Sequence, residues 1–134
     1  MTKEEILLVQ QSWSTIMNRM GDIGERFYNN LFEAEPKFAT LFNADPPEQG
    51  EKLMQLIGLA VTKLHLEKAD MAVHDVGRRH VAYGVKPEYF AKFGEVLIAT
   101  LRDSLQEEWN EELENAWRKA YAKLSRFMIK AMRS

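Results

Sequence analysis

The sequence contains no cysteine. Disulfides, a thiol nucleophile, cysteine-ligated zinc and iron–sulfur clusters are therefore excluded as sources of its chemistry. Histidine is scarce too, with three in 134 residues: His65, His74 and His80. They do not form a ligand set: six residues separate His74 from His80, which puts them on different helix faces, and His65 falls near the end of a preceding helix. Neither H-E-x-x-H nor G-x-x-x-x-G-K occurs, so the usual signatures of zinc hydrolases and nucleotide enzymes are missing. Charge of either sign is not in excess, 18 Lys plus Arg against 20 Asp plus Glu for a net charge of -2, which gives no reason to expect nucleic acid or an anionic membrane as partner. No eighteen apolar residues run together, and Met1-Thr2-Lys3-Glu4-Glu5 is charged rather than a basic stub before an apolar run. Neither a membrane span nor a secretory leader is expected, and the expected compartment is the cytoplasm.

What is present is helical periodicity. With 46% hydrophobic residues, residues 1–134 suit a single domain with its own core. Thr2 and Glu5 make a capping box, followed by Ile6, Val9, Trp13, Ile16 and Met20 at helical steps, with Gly21 as the stop. Asp22 and Glu25 repeat the capping pattern ahead of Ile23, Phe27 and Leu31, and Pro36 opens the short turn "PKFATLF", closed by Asn43. Asp45-Pro46-Pro47-Glu48 predicts the start of a long helix from about Pro46 to about Leu66, and a weaker one follows from about Lys68 through His80. Pro87 and Glu88 open a helix with Phe90, Phe93, Leu97, Leu101 and Leu105 on its apolar face; Asn110 with Glu111 and Glu112 opens the last, carrying Leu113, Trp117, Tyr121, Leu124 and Met128. No segment alternates with period two for long enough to make a strand, so the predicted fold class is all-α.

His80 stands in "VGRRHVAYGV", in the last helical turn before Gly84. By spacing alone, such a histidine complements the helix dipole or caps carbonyls. The whole order of segments says more. "FYNNLFEAEPKFATLF", "QGEKLMQLIGLAV", "VGRRHVAYGVKPEYF", "GEVLIATL" and "AWRKAYAKL" together resemble the globin family, in particular bacterial single-domain globins and the globin part of flavohaemoglobins, over nearly the entire chain. The resemblance implies the globin fold, a sandwich of helices packed at steep ridge-into-groove angles around a pocket for haem b, iron protoporphyrin IX.

Carried over residue by residue, His80 matches the proximal ligand, the one protein bond to iron, which leaves the opposite side open to a diatomic gas. Phe42 matches the phenylalanine that packs on the porphyrin; an ordinary core aromatic would fit the sequence nearly as well. Arg79, Arg78, Lys52 and Lys86 are candidates to pair with the propionates, against solvated surface charge as the common role of any one of them, and Val85 is expected to line the group. On the distal side Gln49, Leu53 and Ile57 share a helix face. By resemblance Gln49 and Leu53 hold the gate positions and Tyr28 is the distal tyrosine. A tyrosine half-buried against a carbonyl and an exposed helix-start glutamine are the alternatives.

Two neutral donors stabilise the partial negative charge of dioxygen without supplying an easily transferred proton. At about 1 to 2 kcal/mol each, they would slow release on the order of 10 to 1,000-fold. The resemblance thus implies reversible dioxygen binding of high affinity. Nitric oxide, carbon monoxide and sulfide are further candidate ligands. A nitric oxide dioxygenase fed by an external reductase is the alternative, and a haemless interaction module a third. Flavohaemoglobins place a tyrosine and a glutamate behind the proximal histidine; Phe90 and Met132 match those positions here, and residues 1–134 are not expected to include a flavin or nicotinamide domain, both of which weaken the dioxygenase. With Gln49 in the distal gate, bis-histidine coordination is not expected. Lys52 swinging in as an amine ligand is less expected than a propionate contact.

Overall fold

The computed structural model describes residues 1–19, 22–41, 50, 55, 57–58, 60–62 and 86–133. Every element among them is helical: α1 (Lys3–Arg19), α2 (Ile23–Ala34), a 3-10 helix (Pro36–Leu41), α3 (Tyr89–Leu105), a 3-10 turn (Gln106–Glu108) and α4 (Glu111–Met132). Gly50, Gln55, Ile57, Gly58, Ala60, Val61 and Thr62 are also helical, within the predicted long helix. The predicted helix over residues 68–80 lies outside the described residues.

The start signals act as their chemistry requires. Thr2 N–H donates to Glu5 Oε1 at 2.8 Å and Glu5 N–H to Thr2 Oγ1 at 3.1 Å, a reciprocal capping box that satisfies two donors with no helical partner. Asn110 Oδ1 accepts from Leu113 N–H at 2.8 Å and starts α4. Asp22 departs from the predicted cap. It stands at the N-cap position but makes no side-chain cap bond, because its carboxylate pairs with Arg26 Nε at 3.2 Å, one turn on.

Helix α2 packs on α3, α1 on α4, and α3 on α4. The predicted apolar face of α3 is buried at every position named: Phe90, Phe93, Leu97, Leu101 and Leu105. On α4, Leu113, Trp117 and Met128 are buried while Tyr121 and Leu124 are half-buried. Burying side chains of this size contributes about 1.5 to 3 kcal/mol each, which is what makes a three-to-four-residue spacing decisive for the fold. Between α3 and α4 the chain takes a turn that the sequence does not advertise: Gln106 adopts φ 49°, a left-handed conformation usually left to glycine. Its N–H caps the Arg102 carbonyl, so the helix end is satisfied despite the side chain.

Candidate functional site

The site is built on α2, where Ile23, Gly24, Phe27, Tyr28 and Leu31 are buried. Gly24 fixes how close the next layer comes. A Cβ there would lie 2.6 Å from the carbonyl carbon of Gly50, and a Cβ on Gly50 would lie 2.5 Å from the carbonyl carbon of Gly24. Two glycines thus let the backbones of α2 and the central helical segment touch, a contact that any side chain would forbid. Tyr28 is one turn beyond Gly24 on the same face of α2, and Gly50 directly follows Gln49 in sequence. The spacing of apolar residues does not single out this glycine pair. Its signal is glycine inside amphipathic helical runs, where it costs about 1 kcal/mol relative to alanine and so calls for a packing reason.

Tyr28 is 8% exposed, more deeply buried than the half-buried alternative allowed. Burial pushes its phenol well above the ordinary tyrosine range, so at neutral pH it is an uncharged O–H. Its ring meets Phe27 edge-on with centroids 5.0 Å apart and Phe32 at 5.9 Å. A second aromatic group gathers where the 3-10 helix meets α3: Phe38 lies 5.0 Å from Tyr89 and 5.1 Å from Phe93, and Phe93 lies 5.5 Å from Phe90. Ile57 and Val61 of the central segment are buried with these rings in one core. The two halves are tied by Asn30 Nδ2, which donates to Thr100 Oγ1 at 3.1 Å, while that hydroxyl donates to the Val96 carbonyl at 2.8 Å.

Of the residues the sequence nominates, Tyr28 is placed in this core. Lys86 is exposed just ahead of α3. His80, Phe42, Gln49, Lys52, Leu53, Arg78, Arg79 and Val85 lie outside the described residues. Phe90 and Met132 are buried and half-buried respectively, as hydrocarbon and thioether groups. Phe90 is held by its backbone: Tyr121 Oη donates to the Phe90 carbonyl at 2.6 Å, and the Tyr121 ring lies so close over Gly94 that a Cβ there would come within 2.5 Å of it. Among the described residues no group of three His, Asp or Glu is placed to hold a metal ion, and no helix is long and apolar enough to cross a membrane.

The globin family profile matches residues 25–128, from α2 to the last turns of α4. The chain belongs to the globin family. It is 33% identical to an uncharacterized globin-like protein of Aquifex aeolicus, over 96% of this chain and 93% of that one. It is 27% identical to the anaerobic nitrite reductase HBII of Casuarina glauca, over 92% and 87%. In structure it is similar to a bacterial globin from Campylobacter jejuni, with a TM-score of 0.87 at 26% identity, covering 98% of this globin and 96% of that one. The all-α fold expected from periodicity, and the family expected from the order of segments, are both borne out.

Proposed function

We propose that this globin binds haem b through His80 and reversibly binds dioxygen or another diatomic gas. The observation that carries the reading is Tyr28: a deeply buried, protonated phenol, one turn from the glycine contact that draws α2 against the central segment. The residues present fit the group. Phe27, Tyr28 and Phe32 of α2, Phe38 of the 3-10 helix and Tyr89, Phe90 and Phe93 of α3 make an aromatic core of the composition a flat apolar macrocycle needs, and among the described residues its buried polar side-chain atoms are partnered.

Haem would supply an iron able to bind a diatomic gas. The protein's own residues do the rest. By the family match, His80 would anchor the iron, Phe42 and Val85 would pack on the ring, and Lys52 and Arg79 would neutralise its propionates. Tyr28 and Gln49 would present neutral hydrogen-bond donors to the gas, and Leu53 would restrict access. Because the Tyr28 phenol is pushed toward its protonated form, it donates without readily giving up its proton.

Phe90 and Met132 favour gas binding over a dedicated nitric oxide dioxygenase. Neither a benzene ring nor a thioether can draw a proton from the far nitrogen of the histidine and so strengthen it as a donor. The test is the optical spectrum of ferric, reduced and oxygenated protein, with His80→Ala beside the wild type, followed by stopped-flow oxygen release from Tyr28→Phe. Haem absorption should be lost or grossly altered in His80→Ala, and release should be about tenfold faster or more in Tyr28→Phe. A colourless protein that takes up no added haemin overturns the reading; equal off-rates overturn the role of Tyr28.

A further inference from the structure

Helix α4 is electrically polarised. Glu111, Glu112 and Glu114 occupy its first turn, preceded by Glu107 and Glu108, whereas beyond Glu114 the chain carries Arg118, Lys119, Lys123, Arg126, Lys130 and Arg133 and no acid. Lys119, Lys123, Arg126, Lys130 and Arg133 recur at steps of four and three, so they line one face as a stripe roughly 21 Å long. Glu112 stands on the same face, two turns ahead of Lys119. The molecule as a whole has a net charge of -2, so this separation belongs to the helix and not to a generally basic protein.

The cations nearest the middle of α4 are already neutralised within the chain. Arg118 bonds Glu95 at 3.0 Å and Glu114 at 3.2 Å, and Lys119 bonds Glu5. The ends are not: Glu107, Glu111 and Glu112 at one end and Arg126, Lys130 and Arg133 at the other are exposed and form no ion pair among the described residues. Beside the stripe, α3 and α4 leave a groove of about 450 Å³ whose lining includes the small residues Ala91, Ala122 and Ser125 together with Tyr121, Ile98 and Ile129. Ala122 is exposed, so another backbone can approach closely there.

We propose that the outer face of α4 docks a second copy of this chain, the two α4 helices running antiparallel about a two-fold axis near Lys119. In that register Glu111 and Glu112 of each copy face Arg126 and Lys130 of the other. Each attraction occurs twice, and the neutralised Arg118 and Lys119 pairs meet at the centre. A parallel arrangement would set like charges together. A uniformly anionic surface is disfavoured because Glu112 lies in line with the bases. The charges set register and specificity, while the groove beside them supplies the contact area. The pairing stands independently of haem binding.

Sedimentation velocity over a concentration series, at low and at high salt, tests it. The expected result is a reversible monomer–dimer equilibrium that weakens with salt. The Arg126→Glu/Lys130→Glu variant should raise the dissociation constant about tenfold or more, and adding Glu111→Lys/Glu112→Lys should restore association. That fourfold variant carries the wild-type charge composition, so its recovery rules out misfolding as the cause of the first loss. A protein that stays monomeric at every concentration in low salt, a dimer indifferent to charge reversal, or a fourfold variant that does not recover would each overturn the proposal. So would a monomer that instead pellets with phosphatidylserine vesicles through Arg126 and Lys130.

Discussion

The two sides of the helical core are finished differently. Where α1 meets α4 the protein closes on itself. Trp117 Nε1 donates to Ser12 Oγ at 2.8 Å, Ser12 donates to the Val9 carbonyl at 2.9 Å, and Trp13 meets Trp117 edge-on at 6.1 Å. Around α2 and the start of α3 the core is instead a collection of aromatic rings with one buried phenol among them. The first side is complete in its own residues, since the Trp117 indole N–H and the Ser12 hydroxyl find their partners within it. The second, on the proposed function, is completed by a guest. Changes on the α1/α4 side should therefore cost stability whether or not haem is bound, and changes on the α2 side should show up as altered ligand binding.

The largest effect is expected at the glycine contact, which serves both purposes. In Gly24→Val the new side chain would overlap Gly50 backbone, which no rotamer relieves, so α2 must move away. A loss of about 3 kcal/mol in urea unfolding is expected, together with weakened haem retention. Gly58→Ala is the control: its Cβ would meet Trp13 Nε1 at 3.6 Å, an ordinary contact, and alanine is the better helix former. That variant should be neutral or more stable by up to about 1 kcal/mol. Equal destabilisation of the two would mean that glycine is needed along the helix generally and not at the crossing.

Ser12→Ala probes the closed side. It leaves the Trp117 indole N–H buried without its acceptor, at a cost of about 1 to 3 kcal/mol. The loss should be the same with and without added haemin, and the oxygen off-rate should not change. Tyr28→Phe should do the reverse, altering the off-rate with a smaller effect on the unfolding midpoint. A Ser12→Ala protein that released oxygen faster would erase the distinction between the two sides.

How much of this was legible in the sequence follows from which forces are local. The Thr2/Glu5 box, the Asn110 cap and the apolar face of α3 depend on spacings of three and four within one helix, and the structure reproduces them. Asp22 failed as a cap because an equally local rival, Arg26 one turn on, took its carboxylate. The Gly24/Gly50 crossing and the Tyr121 bond to the Phe90 carbonyl join residues 26 and 31 positions apart, so no window of one helix contains them. Of the proposed site, Tyr28 is nominated by the family resemblance, and the structure describes the depth of its burial. The pattern that marked His80 as special was likewise the order of segments along the chain; its own spacing suggested only a helix end.

The smallest effect separates the two sides by pH. Glu114 Oε1 accepts from Arg102 Nη2 at 2.8 Å and Trp109 Nε1 at 3.1 Å, and its Oε2 from Arg118 Nε at 3.2 Å. These bonds, that from Arg102 foremost, hold its carboxyl at about 2, against 4.5 for an unperturbed glutamate. The Lys119 ammonium, with the Thr2 N–H, holds Glu5 at about 2 as well. A carboxyl lowered by folding contributes stability that is fully present above pH 4.5 and is lost as pH falls through about 2. Tyr28 has the opposite sign: burial raises its phenol, so its contribution is intact below the unfolded value of 10 and declines as pH rises beyond it, where Tyr121 adds to the same limb. Urea midpoints of wild type and Glu114→Gln should differ by a constant amount near neutrality and converge between pH 4.5 and 2, whereas Tyr28→Phe should depart from wild type in its pH profile only in alkali. If Glu114→Gln instead kept its full deficit at pH 2, the carboxylate's charge would not be what joins α3 to α4, and the α4 side would owe its closure to packing and neutral hydrogen bonds alone.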